Sequence, residues 1–125
     1  HLNLITTKKI PKTRIYLTRK NLSLIKCLHS IGCISKFLIV KHLNKTRSRT
    51  SVHISAPYYK NTPFFKSVRI ISTPSKQHRT SISGLKLISN SLKSSTMILS
   101  TSTGIITHRE ALRINVGGLI LCIVH

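Results

Sequence analysis

Glu110 is the single acidic residue in this chain, which also carries 21 Lys and Arg residues. The formal net charge is +20 and the sequence pI is about 11.2. A compact fold concentrates these like charges, so the folded chain repels itself unless an anionic partner surrounds it. A single carboxylate also cannot form an acid/base pair, complete a Ser-His-Asp triad or build an oxygen-ligand metal cage. The charge therefore predicts a protein that binds a polyanion, and it argues against an enzyme.

The apolar content is high enough for a folded core despite this charge. Hydrophobic residues make up 40% of the 125 residues, whereas disordered basic arms lack such content. Strand-like and helix-like segments follow one another without a visible internal repeat, which favours the α+β class. We therefore predict two small α+β lobes, over residues 1–61 and 62–125, with the boundary in the proline-containing stretch 56–63.

Hydrophobic periodicity and capping residues predict the elements of both lobes. In the first lobe we predict the end of a helix at 2–10, a strand at 14–18, a helix with Asn21 as its N-cap and Gly32 as its C-cap, and a hairpin of strands 34–40 and 51–55 around a basic loop at 45–49. In the second lobe we predict a strand at 68–71, a turn at 72–75, a short helix through Ile82, Leu85 and Ile88, a strand at 97–99, a loop at 100–104, and a final strand at 119–124. Thr107 and Glu110 have the spacing of a capping box and predict a helical turn between the last two strands.

The cysteine and histidine residues predict no catalytic or metal site. Cys27, Cys33 and Cys122 have no CxxC spacing, and we expect buried, reduced thiols. Cys27 and His29 resemble half of a metal site, but no second pair follows at a zinc-like spacing. An enzyme built on Cys122 is disfavoured because this residue falls in the predicted buried final strand. We expect the seven His residues at the surface or facing the anionic partner, with no metal and no other cofactor.

The aromatic content bears on the kind of nucleic acid that such a chain would bind. The chain has three Tyr, three Phe and no Trp. Proteins that bind single strands without sequence preference stack bases on repeated aromatic side chains, and that supply is thin here. Contacts to phosphates and to the shape of a folded RNA suit the composition better.

The segment from Ser100 to Gly104 carries four hydroxyl residues closed by a glycine. Taken alone, such a run is typical of an ordinary solvated turn. Hydroxyls and backbone N–H groups on a tight glycine-closed loop can also hydrogen-bond to phosphates, ribose 2′-hydroxyls and base edges of an irregular RNA. Surrounding Lys and Arg side chains would add an attraction that depends on salt.

A longer pattern around this segment resembles a known family. The hydroxyl loop is followed by Arg109-Glu110-Ala111, then Gly117-Gly118, and then a closing apolar strand. This order and spacing resemble the C-terminal signature of the small-subunit ribosomal protein eight family of bacterial type, with its STSKG-like loop, TDREA-like turn and double glycine. The resemblance covers most of the chain and is specific from Val68 onward.

The resemblance implies a structural constituent of the small ribosomal subunit that binds the central domain of small-subunit rRNA and stabilises its fold during assembly and translation. It implies neighbouring small-subunit proteins as further partners, and no small-molecule substrate. The candidate rRNA-binding residues are Lys12, Arg14, Arg19 and Lys20, proposed on charge, and Ser72, Pro74, Ser75, Arg79, Ser100, Thr101, Ser102, Thr103, Gly104, Gly117 and Gly118.

The chain departs from the family pattern at three positions. Thr103 replaces the lysine of the loop, His108 replaces the aspartate of the turn, and Leu119 replaces the acidic residue after the double glycine. In the family that carboxylate helps to arrange the contact between the loop and the RNA, so the resemblance does not carry this contact over to Leu119. We expect Glu110 to cap a turn behind the loop and not to touch RNA.

Two other classes of function remain open at this point. A general basic RNA-binding chaperone would share the charge, but it would bind unrelated RNAs equally well at matched salt. A protein that binds membrane surfaces or heparin would need an amphipathic cationic helix, and none is evident. No apolar run approaches the roughly 18 residues of a membrane span.

The composition also bears on location. Ile, Lys, Ser and Thr are abundant and acids have almost vanished, which is typical of divergent organellar ribosomal proteins. We expect a mitochondrial protein, with a plastid as the alternative. His1 is not an initiator residue, so we expect the printed sequence to begin inside the encoded protein.

Overall fold

The structure is a computed structural model that describes residues 12–43, 48–60 and 62–125. These residues fall into two compact units, the described parts of His1–Lys66 and of Ser67–His125. The first unit contains β1 (Lys12–Tyr16), α1 (Arg19–Ile31), β2 (Lys36–Leu43), β3 (Ser48–Ser55), β4 (Tyr58–Tyr59) and β5 (Thr62–Pro63). The second contains β6 (Val68–Ile70), β7 (Arg79–Thr80), α2 (Ile82–Ser91), β8 (Thr96–Thr101), β9 (Gly104–Thr107), α3 (His108–Arg113) and β10 (Gly118–Val124). Both units mix strands with helices, which confirms the predicted α+β class.

An antiparallel sheet with the strand order β1-β3-β2 lies at the centre of the first unit. Val52 and Ile54 of β3 are almost fully buried. The ring of His29 in α1 meets the ring of Phe37 in β2 edge to face, with the centroids 5.5 Å apart. Phe37 pairs with Ile54, and directly paired residues share one face of a sheet. Helix α1 therefore covers the face that carries the buried side chains of β3.

Helix α1 begins earlier than predicted. Its N-cap is Thr18, whose hydroxyl accepts a hydrogen bond from the Asn21 N–H at 3.1 Å. The prediction of Asn21 as the N-cap is therefore wrong, because Thr18 is also a favoured capping residue and Arg19 is already helical. At the other end Gly32 adopts a left-handed φ of 89° and closes the helix, as predicted.

The hairpin of the first unit is longer than its periodicity predicts. β2 and β3 are paired along their whole lengths. The prediction of a basic loop at 45–49 is wrong for Ser48 and Arg49, which belong to β3 because the pairing continues past the apolar part of each strand. Residues 45–47 and the predicted helix end at 2–10 lie outside the described residues.

The second unit is organised around β10. The sheet order is β6-β10-β8-β9, and β7 pairs with β10 beyond β6. The buried core cluster consists of Leu85, Met97, Leu99, Ala111 and Ile120. Met97 and Leu99 are two residues apart on β8, so both point toward α2 and α3, while Ser100 points to the opposite face. Ser100 therefore lies on a strand that is anchored in this core.

The shortest of the described helices, α3, is held by its N-terminal cap. The Thr107 hydroxyl accepts a hydrogen bond from the Glu110 N–H at 3.3 Å, and the Glu110 carboxylate accepts one from the Thr107 N–H at 3.1 Å. These reciprocal bonds confirm the predicted capping box. The single carboxylate of the chain thus satisfies a backbone donor at a helix end.

Candidate nucleic-acid interface

The hydroxyl segment forms the end of a β-hairpin. Ser100 and Thr101 are the last residues of β8, and Gly104 is the first residue of β9, so only Ser102 and Thr103 lie in the turn. The predicted loop is therefore wrong at both ends, because pairing with β9 and β10 extends β8 into the polar residues. Gly104 has a φ of 126°, a conformation that L side chains rarely adopt. The backbone angle explains the glycine, since a Cβ there would meet no atom within 4 Å.

Internal hydrogen bonds hold this turn in one shape. The Thr101 hydroxyl donates to the Gly104 carbonyl oxygen at 3.0 Å and lies 2.8 Å from the Thr103 hydroxyl. It also accepts a hydrogen bond from the Thr103 N–H at 3.3 Å. Ser102 is exposed at the tip, and its hydroxyl has no hydrogen-bond partner among the described residues. Thr101 therefore organises the turn, and Ser102 presents a hydroxyl to solvent.

Four side chains form a row across the second sheet. Arg79 of β7 pairs with Leu119 of β10, Leu119 pairs with Ser100 of β8, and Ser100 pairs with Ile105 of β9. Directly paired residues have Cβ atoms about 4.5–5.5 Å apart on the same face. This is the face away from α2 and α3. The sheet thus brings Arg79 to the same face as Ser100, on two strands far apart in sequence.

The double glycine permits this assembly through close backbone approach. A Cβ on Gly117 would lie 2.5 Å from the Thr80 carbonyl oxygen. A Cβ on Gly118 would lie 2.5 Å from the Ser100 carbonyl oxygen and 2.9 Å from the Thr101 methyl group. Contacts of that length do not occur for real side chains. The two glycines therefore allow β10 to lie between the strand ends that carry the candidate residues.

The predicted turn at 72–75 is separated from β7 by residues 76–78. The Ser72 hydroxyl accepts a hydrogen bond from the His78 N–H at 3.0 Å, which closes the turn across its base. Pro74 and Ser75 lie at the exposed part of the turn. The His78 carbonyl oxygen accepts a hydrogen bond of 2.8 Å from the Ile120 N–H of β10. This bond fixes the chain just before Arg79 and so positions Arg79 in the row.

The candidates of the first unit lie on two neighbouring elements. Lys12 and Arg14 are exposed on β1, on the face that α1 does not cover. Arg19 and Lys20 are exposed in the first turn of α1, which has no acidic residue. Positive charges at a helix N-terminus oppose the helix dipole and cost about 0.3–1 kcal/mol each. These two charges therefore do not serve the stability of α1.

The electrostatics of the row favour an anionic partner. Glu110 is the single acidic residue of the chain, and its carboxylate is hydrogen-bonded to the backbone of Thr107. No ion pair neutralises Arg79 in the described part of the chain. An apolar side chain, Leu119, lies between Arg79 and Ser100. The row therefore offers one permanent cation and one hydroxyl without a competing carboxylate.

One polar residue in this unit was not identified from its sequence pattern. His108 is buried, with 4% of its surface exposed, and its Nδ1 atom accepts a hydrogen bond from the Met97 N–H at 3.1 Å. Burial lowers the pKa of His108 below its ordinary value of 6.5, and the nearby Arg109 adds to this effect. The expectation that all His residues lie at the surface or face RNA is therefore wrong for His108. The fold of β8 against the start of α3 buries it, and no local spacing signals that contact.

The sequence also predicts buried thiols, no metal site and no membrane span. Cys27, Cys33 and Cys122 are all buried, as predicted, and burial raises the pKa of the Cys33 thiol. Within residues 12–43, 48–60 and 62–125, no group of three or more His, Cys, Asp and Glu side chains is placed to hold a metal ion. None of the described helices is long and apolar enough to span a membrane.

Comparison with known families identifies the family of the chain. A sequence model of the family described as Ribosomal protein S8 matches residues 4–125. The chain belongs to the ribosomal protein S8 family. This finding confirms the resemblance seen in the hydroxyl segment and the double glycine. Proteins of the S8 family are structural components of the ribosome and not enzymes, which confirms the prediction that the chain has no catalytic role.

Individual relatives agree with the S8 family match. The small ribosomal subunit protein uS8 of Hyphomonas neptunium is 35% identical over 72 residues, which cover 58% of this chain and 53% of that protein. The protein of the same name from Nitratiruptor is 28% identical over 100 residues, 80% of this chain and 73% of that protein. The small ribosomal subunit protein uS8m of Acanthamoeba castellanii is 27% identical over 97 residues, 78% of this chain and 71% of that protein. The chain thus spans about half the length of the first relative and more of the other two.

Proposed function

We propose that this S8-family protein is a structural constituent of the small ribosomal subunit that binds the central domain of small-subunit rRNA and stabilises its fold during assembly and translation. Membership of the family supports the ribosomal role, and the relatives are named as small-subunit proteins. The observation that carries RNA binding is the row of Arg79 and Ser100 beside the exposed turn at Ser102. Neighbouring small-subunit proteins are the proposed further partners.

The hairpin turn supplies the specific contacts in this proposal. Ser102 and Thr103 present exposed hydroxyls that can hydrogen-bond to ribose, phosphate or base edges of an irregular RNA. Thr101 uses its hydroxyl inside the turn, so it positions the neighbouring groups. Gly104 has no side chain, which lets the backbone of the turn come close to the RNA. The internal hydrogen bonds pre-organise the turn and reduce the entropy lost on binding.

Elements beside the hairpin supply position and charge. Arg79 pairs with a phosphate from the same face as Ser100, and Pro74 and Ser75 contact the RNA from the neighbouring turn. Ser72 acts through its hydrogen bond across the base of that turn. The double glycine, Gly117 and Gly118, contributes by holding β10 against β7 and β8.

The first unit adds phosphate contacts in this proposal. Lys12, Arg14, Arg19 and Lys20 are all exposed, and none has an acidic partner within the described part of the chain. Such contacts give affinity without sequence preference and weaken as salt increases. They complement the hairpin, which discriminates one RNA from another.

We further propose that the protein works in a mitochondrion, with a plastid as the alternative. The near absence of acidic residues and the abundance of Ile, Lys, Ser and Thr support an organellar ribosome. The uS8m relative from Acanthamoeba castellanii is about as similar to this chain as the uS8 protein from Nitratiruptor.

The test compares two serines at opposite ends of β8. Ser102→Leu alters the exposed hairpin turn, and Ser94→Leu alters the exposed turn that precedes the strand. The dissociation constant is measured at matched salt for the central-domain junction of small-subunit rRNA and for an unrelated RNA of equal length. We expect Ser102→Leu to weaken binding to the junction roughly tenfold, the worth of one or two hydrogen bonds. Ser94→Leu should have no effect.

Two results would contradict the proposal in different ways. Equal losses for both RNAs on Ser102→Leu would contradict a specific contact by the hairpin. Unmutated protein that binds both RNAs equally well at matched salt would favour the alternative, a general basic RNA-binding chaperone.

A further inference from the structure

The first sheet has a polar and partly aromatic face on the side away from α1. Side chains alternate along strands, so the register assigns the face residue by residue. We define the open face as Lys12, Arg14 and Tyr16 of β1, His53 and Ser55 of β3, and Lys36 and Leu38 of β2. The same register also puts Ser51 and Val40 on this side of the sheet, and Ser51 is fully buried there beside Tyr16. Tyr16 is 65% exposed and Leu38 is 69% exposed, so a ring and an apolar side chain are accessible beside the cations of this face.

The register arranges these side chains in rows. Arg14 pairs with His53, and His53 pairs with Leu38. Tyr16 lies two residues beyond Arg14 on the same strand, which places its ring diagonal to His53. Diagonal neighbours on one face are about 7–8 Å apart, within reach of aromatic side chains. Flat side chains thus lie between cationic ones on a single surface.

The charge of the open face determines the sign of its partner. Lys12, Arg14 and Lys36 are all exposed, and the one acidic side chain of the molecule, Glu110, belongs to the second unit. An anionic partner would therefore meet three cations and no opposing carboxylate from this unit. The exposed rings of Tyr16 and His53 can in addition stack on flat groups of that partner.

Unpaired RNA combines both properties. In a double helix the bases are stacked inside, and a protein reaches mainly phosphates and 2′-hydroxyls. In a single-stranded segment the bases are free to stack on aromatic side chains while basic groups follow the backbone. Sheet faces with exposed aromatic side chains bind RNA in this way in other folds. The few aromatic residues of the chain cannot form a long stacking platform, so the open face suits only a short segment.

We propose that the open face binds a short unpaired RNA segment, with bases stacked on Tyr16 and His53 and phosphates contacted by Lys12, Arg14 and Lys36. The inference rests on the proposed function in that the partner is RNA, but it uses a surface of the other unit and a different mode of recognition. The stacking contact separates it from the purely electrostatic role proposed above for the first unit.

The test uses the full chain and a fluorescent oligouridylate of about ten nucleotides, a length within the usual range for single-strand sites. Tyr16→Ala should weaken binding about fivefold or more, the lower range for loss of one stacked base. Tyr16→Phe keeps the ring and should bind like the unmutated chain. Phe64→Ala is the matched control, since Phe64 is 67% exposed in the same unit but lies outside the sheet. None of these changes should alter binding to an RNA duplex.

A second measurement needs no substitution. Photo-crosslinking of the unmutated chain to an oligomer that contains 4-thiouridine should attach RNA to the peptide that holds Tyr16, as located by mass spectrometry. Crosslinks confined to other peptides would overturn the inference. Equal effects of Tyr16→Ala and Phe64→Ala, or equal losses for duplex and oligouridylate, would also overturn it. Displacement of oligouridylate by oligoglutamate at equal concentration would point to an acidic protein segment as the partner and reject RNA.

Different results would contradict the proposed function and the inference about the open face. Oligouridylate binding that is absent while the central-domain junction still binds overturns this inference alone. Loss of junction binding in Ser102→Leu, with oligouridylate binding intact, shows that the hairpin and the open face act independently. Unmutated protein that binds neither RNA contradicts both proposals.

Discussion

At the scale of single residues, two side chains of α3 have structural tasks that their charge does not suggest. Glu110 accepts a hydrogen bond from the Thr107 N–H, one of the donors that a helix N-terminus leaves without an internal partner. A carboxylate that faced RNA would be repelled by the phosphates, whereas this one is occupied within the fold. His108 accepts a hydrogen bond from a buried backbone N–H, which requires the neutral imidazole.

His108 should make the stability of the protein depend on pH. Its pKa is lowered by burial, so between the ordinary value of 6.5 and the folded value the unfolded chain binds a proton that the folded chain does not. The contribution of His108 to the free energy of unfolding should therefore be fully present above about pH 6.5. It should be lost as the pH falls through the folded pKa. We expect a lower Tm at about pH 5 than at about pH 7.5, measured by circular dichroism.

The control for this experiment is His108→Asn. The amide oxygen can accept the hydrogen bond from Met97 in place of Nδ1, but it does not titrate. The decrease in Tm between the two pH values should be smaller in this variant, because the contribution of His108 is removed. Some decrease can remain, because the other His residues are unchanged. An equal decrease in both proteins would assign the pH dependence to other groups.

At the scale of elements, the candidate site depends on how closely β10 approaches its neighbours. β10 pairs with β7 on one side and β8 on the other, and the row from Arg79 to Ser100 runs across it. Gly118 is paired with Thr80 and lies against the backbone of Ser100. The geometry of the site is therefore set by the main chain of one strand.

Gly118→Ala should disrupt this arrangement. The new Cβ would lie 2.5 Å from the Ser100 carbonyl oxygen, a backbone atom that cannot rotate away. We expect a loss of about 1–3 kcal/mol in the free energy of unfolding, typical of overpacking, measured by urea denaturation. RNA binding should weaken as β8 shifts.

Gly84→Ala in α2 is the matched control. Its Cβ would come nearest to the side-chain oxygen of Thr80, at 2.9 Å, and a hydroxyl can turn aside. Alanine also favours the helix by up to about 1 kcal/mol over glycine. Equal destabilisation by both substitutions would show that the approach of β10 to β8 is not the limiting contact.

At the scale of the whole molecule, charge dominates. A net charge of +20 on 125 residues creates self-repulsion that the chain's own single acid cannot offset. RNA phosphates would neutralise these charges, so the folded protein gains more from a large RNA partner than from any internal ion pair. The exposed positions of Arg19 and Lys20 at the start of α1 fit the same requirement.

The native protein should therefore travel with small ribosomal subunits on a sedimentation gradient. Treatment with RNase should remove it from those fractions, and the released chain should lose its cooperative folding at low salt, because repulsion among its unmatched charges destabilises the compact state. A chain that stays soluble, monomeric and cooperatively folded at low salt without RNA would contradict this expectation.

Local features were predicted well from the sequence. Gly32 as the end of α1, the box of Thr107 and Glu110, and the apolar final strand each depend on residues within a few positions of one another. Predictions failed where long-range pairing extended a strand, as at Arg49 and at Ser100. They also failed at Asn21, where two capping residues competed and the chain used the earlier one.

The sequence by itself predicted an anionic partner, and it determined that the chain mixes helices with strands and that its hydroxyl segment belongs to the S8 pattern, because charge, period and motif are properties of neighbouring residues. Only the tertiary structure decided that Arg79 and Ser100 share a face, that His108 is buried and neutral, and that Tyr16 lies on an open sheet face. Each of these depends on the register between strands or on packing between elements far apart in the chain. Such register follows from the burial of the whole core and not from any local pattern.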